Sequence, residues 1–147
     1  MFKESIKSGF ILPVIIVLAT AFNFNSALYS SNLSWFEVCV SVIYLLIWGV
    51  TFSSAWKNKN YNLIRASAIF WITTFILSSL LLHIRMNNAD IGLPLLLVIP
   101  LITPLFGLEF LTNYIINQRY IIYILISAVS FVFSSFGLFF LITNRKK

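Results

Sequence analysis

IGLPLLLVIPLITPLFGLEF, residues 91–110, carries no charge from Ile91 to Leu108 yet has prolines at 94, 100 and 104. Its eighteen apolar residues would form a helix about 27 Å long, close to the ~30 Å thickness of a bilayer's hydrocarbon core. A proline inside a helix removes a backbone donor and clashes with the preceding turn, at about 3 kcal/mol in a soluble helix. Pro94 can open a helix without that penalty. Pro100 and Pro104 cannot both do so, and Gly92 and Gly107 loosen the two ends. In hydrocarbon such a break survives only where protein or trapped water receives the freed carbonyls. The stretch therefore either crosses as a broken fifth span or enters and returns near Pro100.

The rest of the chain sets the surroundings of this stretch. Of 147 residues, 60% are hydrophobic and 10% charged, and the mean hydropathy is +0.96. A soluble domain carries about 25% charged residues, so water cannot be the solvent for most of this surface. The expected fold is an all-α integral membrane protein, one domain over residues 1–147. It is a small four-helix transmembrane bundle plus the proline-broken segment, re-entrant or fifth span. Spans are expected at about 9–29, 35–56, 65–84 and 120–143, with the disputed apolar segment at 91–111. Tyr29, Trp35 and Phe36 at one boundary and Trp56 and Tyr61 at the other match an interfacial aromatic belt. Lys3 and Lys7, an apolar run and Ala19-Thr20-Ala21 imitate a cleavable leader, but apolar character continues through Phe22 and Phe24. The segment reads as a retained span.

The net charge is +6, but the basic residues stand at the ends of apolar runs and form no continuous face for phosphates. No nucleic-acid partner is expected. If residues 91–108 return to their own side, then Lys3, Lys7, Lys57, Lys59, Arg65, Arg145, Lys146 and Lys147 share one face. Arg85 and Arg119 occupy the other, a division of eight to two. A fifth span with the N-terminus inside gives six to four and exports Arg145-Lys146-Lys147. Positive charge concentrates on the cytoplasmic side. The expectation is a multi-pass cell-membrane protein with both termini cytoplasmic. The abundance of Ile, Asn, Lys and Phe points to an AT-rich bacterial genome.

Lipid gives no hydrophobic reward for helix pairing, so small residues mark the contact faces. The last span has Ser127, Ser130, Ser134 and Gly137 on one face, the first Ala19, Asn23 and Ser26. The third has Ser67, Trp71, Thr74 and Ser78, the second Ser41, Gly49 and Ser53. These faces predict packing within one chain, or a homodimer through the last span. The bilayer is the expected partner, with a second membrane protein or a second copy as further possibilities.

Cys39 and His83 are the only residues of their kinds, which leaves no intrachain disulfide and no metal site or cofactor to expect. Glu37, His83, Arg85, Asp90 and Glu109 gather on the outer side as candidate binding residues. Their bland alternative is solvation by headgroups and water. Pro94, Pro100 and Pro104 are structural candidates beside the last-span stripe. Past the break, Glu109, Asn113 and Asn117 recur every four residues, as in a short amphipathic helix lying at the interface. His83 with Glu109 could act as a base and its orienting carboxylate, though no nucleophile or metal motif accompanies them. A broken segment also suits a small-solute or ion transporter or channel working as an oligomer. The composition best fits a non-catalytic protein acting through helix contacts and its outer face: an accessory subunit, a regulator or an immunity-type protein.

Overall fold

Local chemistry sets the helix boundaries. The computed structural model describes residues 12–24, 34–87, 99–116 and 121–143, which are helical or lie in the turns and caps beside helices, with no strand among them. Helix α1 is Leu12–Phe24, with Pro13 in its first described turn, where a missing donor is harmless. Helix α2, Trp35–Lys57, opens on a capping box in which Ser34 and Glu37 bind one another. It ends where Lys59 turns to a φ of 51°, and the Asn60 amide folds back onto the Ala55 carbonyl at 2.9 Å. Asn60 then caps the next helix, its Oδ1 accepting the Leu63 amide at 3.2 Å. Helix α3, Tyr61–Met86, follows at once. Four residues, 99–102, are helical (α4). A 3-10 segment, Thr103–Leu108, comes next, then α5, Glu109–Ile116, and α6, Ile121–Thr143.

Three of these helices are long and apolar enough to cross a membrane: Trp35–Lys57, Tyr61–Ile84 within α3, and Ile121–Thr143. Leu12–Phe24 and Ile99–Thr112 are shorter apolar helices. The four-helix expectation therefore meets three helices of spanning length among the described residues. Most of the expected first span, 9–29, is described only as α1; its flanks lie outside the described residues. The third helix starts at Tyr61 rather than near residue 65, because the Asn60 cap lets it begin before the exposed Arg65.

Contacts between α3 and α6 run in opposite directions along the two helices. Tyr61 meets Phe140, Gly137 abuts Ala68, Trp71 stacks on Phe133 at 4.6 Å, and Ser78 shares a 2.8 Å hydrogen bond with Ser127. The two helices are antiparallel, and the end of α6 lies beside the turn between α2 and α3. Phe52, Ala55, Ile64 and Phe140 form a separate buried cluster at that end. The main core is built around Tyr44, Trp48, Trp71, Leu105, Ile122 and Ile126, with Trp48 stacked on Phe70 at 4.9 Å. Outside, Val50, Phe131, Phe139 and Ile142 are exposed.

The later part of the proline segment belongs to the core. Every residue from Ile102 to Glu109 is buried. It packs on the first two turns of α2 and places Phe106 against Tyr123 of α6. Pro100 was the expected turning point; it is exposed within α4, and the backbone tightens to 3-10 only at Thr103. Pro104 stands in the first 3-10 positions, where its missing donor is tolerated.

Candidate functional site: a sheltered break in the backbone

Asn23 near the end of α1 and Ser41 in α2 are both wholly buried. Each donates to the Pro104 carbonyl, Asn23 Nδ2 at 2.8 Å and Ser41 Oγ at 2.9 Å. Asn23 Nδ2 also reaches Ser41 Oγ at 3.1 Å. Two helices thus supply side-chain donors to a carbonyl in the irregular stretch, as a break in apolar surroundings requires. A net hydrogen bond is worth about 1 kcal/mol, while stripping a buried acceptor of its donors costs about 1–3 kcal/mol.

Gly107 makes the approach possible. A Cβ there would lie 1.9 Å from the Glu37 carbonyl oxygen and 2.6 Å from Ser41 Oγ. The residue expected to loosen the segment instead lets it press on the backbone of α2. Moving outward, Phe110 meets Trp35 at the very start of α2 with ring centroids 5.1 Å apart. The chain therefore climbs along α2 from Ser41 to Trp35, a rise of about 9 Å. Phe22 of α1 meets Phe36 at the same end.

Glu109, expected on the polar face of an interfacial helix, is 2% exposed and begins α5 from within the core. The Thr112 hydroxyl, also buried, donates to the Glu109 carbonyl at 3.0 Å. Glu37 has a structural duty, its Oε2 accepting from the Ser34 amide at 2.5 Å and the Ser34 hydroxyl at 2.7 Å. His83 is exposed and its Nε2 pairs with Asn87 Nδ2 at 3.2 Å. No described contact joins His83 to Glu109 as the base-and-carboxylate pairing requires. Asp90, Pro94 and Asn117 lie outside the described residues, as do the side chains of Arg85 and Asn113. Among the described residues no group of three His, Cys, Asp or Glu could hold a metal ion.

The stripe on α6 packs inward. Ser127 bonds Ser78, Ser130 and Ser134 are buried, and a Cβ at Gly137 would lie 2.8 Å from that of Ala68. At Ser127 and Gly137 this face meets α3 of the same chain. The sequence singled out Ser41 only as a member of a packing face, and Asn23 as that and as a polar residue just inside the first span. Their carbonyl partner is 81 and 63 residues away, a pairing that helical periodicity does not encode. The Ser34-x-x-Glu37 cap was legible in the sequence but hidden behind the acid's position at a span boundary. Compared with known proteins, the chain matches no family model, no curated protein sequence and no solved structure.

Proposed function

We propose that the chain is a small multi-pass protein of the cell membrane that acts without catalysis, as an accessory subunit, regulator or immunity-type protein. Its working surface is its exterior. The carrying observation is the division of side chains: the interior is filled by stacked rings at Trp48, Phe70, Trp71 and Phe133, while large apolar side chains line the outside. Such an exterior suits lipid and partner helices. Rings stacked at 4.6–4.9 Å leave little room for a solute path through one copy, so a transporter would have to build its path between copies.

In this reading α2, α3 and α6 cross the bilayer, and α1 completes a fourth crossing with flanking apolar residues. Residues 99–116 form the sheltered return on the outer side, and both termini are cytoplasmic. The antiparallel α3 and α6 support that topology, because a single further crossing between them would make them parallel. Affinity-tagged protein extracted in mild detergent tests the functional reading. A second membrane protein recovered in fixed ratio is expected. Recovery of the chain alone, together with solute flux in reconstituted vesicles, would overturn it.

A further inference from the structure

The described glycines divide into two kinds. Gly107 and Gly137 are held small by atoms that a Cβ would strike. Gly49 in the middle of α2 has nothing among the described residues within 4 Å of its would-be Cβ. A mid-helix glycine costs about 1 kcal/mol relative to alanine, and no contact among the described residues accounts for it. Gly49 instead lies in a shallow, open groove of about 520 Å³ along the outward face of α2, lined among the described residues by α2 and its C-cap Asn58 alone. Leu46 and Val50 form its apolar part, Ser53 and Ser54 its polar part, and Lys57 its head. Asn58 also lines the head end and donates to Ser54 Oγ at 3.4 Å.

We infer that this groove docks one anionic glycerophospholipid, with an acyl chain over Gly49 and the headgroup phosphate at Lys57 and the Ser53 hydroxyl. Charge complementarity selects the occupant. Lys57, Lys59 and Arg65 gather at this end, and no acidic residue occurs between Glu37 and Asp90. A second copy inserted in the same orientation would bring Lys57 against its equivalent, which like charge disfavours. Length agrees: Leu46 to Lys57 rises about 17 Å along the helix, against ~15 Å for one leaflet of the hydrocarbon core. The inference rests on the membrane reading above and on its cytoplasmic placement of this end, where anionic lipids are concentrated.

Native mass spectrometry of the full chain in mild detergent tests it, with phosphatidylglycerol, phosphatidylcholine of identical acyl chains, and glycerol 3-phosphate as separate additives. One lysine near a membrane surface contributes an attraction equivalent to about five-fold in binding. Phosphatidylglycerol adducts are expected to exceed phosphatidylcholine adducts by about that factor, with no adduct of the tail-less phosphate. Lys57→Gln should remove the preference, Lys59→Gln should change it less than about two-fold, and Gly49→Leu should reduce adducts of both lipids. Circular dichroism checks that the variants keep their helicity. Equal binding of the two lipids, indifference to Lys57→Gln, or a disulfide between copies carrying Val50→Cys in a Cys39→Ser background would overturn it. Carbonate washing of membranes separates the two readings. Release of the chain sinks the membrane reading, whereas retention without a lipid preference sinks the groove alone.

Discussion

Three glycines in one chain face three different surroundings, and each predicts its own response to an added methyl group. Gly107→Ala drives a Cβ into the backbone of α2, which cannot move aside as a side-chain end can. Overpacking of that kind costs about 3 kcal/mol. Gly137→Ala meets the Ala68 methyl at 2.8 Å, with Ala68 Cα at 3.4 Å and Phe52 Cζ at 3.5 Å behind it, and should cost about 1–2 kcal/mol. Gly49→Ala meets nothing among the described residues and should stabilise α2 by about 0.5–1 kcal/mol. Unfolding titrations in mixed detergent micelles give the order directly. If Gly107→Ala proved neutral, the close seating on α2 would be wrong. The sequence shows each glycine but not its neighbour: Gly107 looks like a loosening residue until the backbone beneath it is known. Glu37 likewise looks like a boundary charge until Ser34 is seen to hold it.

At the level of elements, the ends of α2 and α6 are close to those expected from charge-free runs, because a charged or strongly polar residue leaves the apolar interior at the first opportunity. The break between Ile102 and Glu109 was legible as a break, since prolines and glycines advertise themselves. Its depth and its donors were not, because they depend on residues far away in the chain. Asn23→Ala and Ser41→Ala should each destabilise by about 1–3 kcal/mol. Sharing one carbonyl, they should couple by about 1 kcal/mol in a double-mutant cycle. Strict additivity would mean that the Pro104 carbonyl is not their common target. The two described prolines of the segment should also part company. Pro100→Ala, at an exposed position, should stay within about 0.5 kcal/mol, whereas Pro104→Ala in the core should lose about 2 kcal/mol. Equal costs would contradict the burial difference between them.

For the whole molecule, the antiparallel register of α3 and α6 matters most. It sets the end of α6 beside the α2–α3 turn and leaves the proline segment at the opposite end, against the first turns of α2. Charge counting pointed the same way, because basic residues cluster on one face when the segment returns. The burial of Glu109 could not be read from its spacing, which fits a surface helix equally well. Single cysteines at Lys59, Thr143 and Asn87, in a Cys39→Ser background, can be probed on intact cells with a membrane-impermeant thiol reagent. Protection at 59 and 143 with labelling at 87 is the predicted result. Labelling at 143 together with 87 would mean that the proline segment crosses, and it would contradict the sheltered return on which the proposed topology depends.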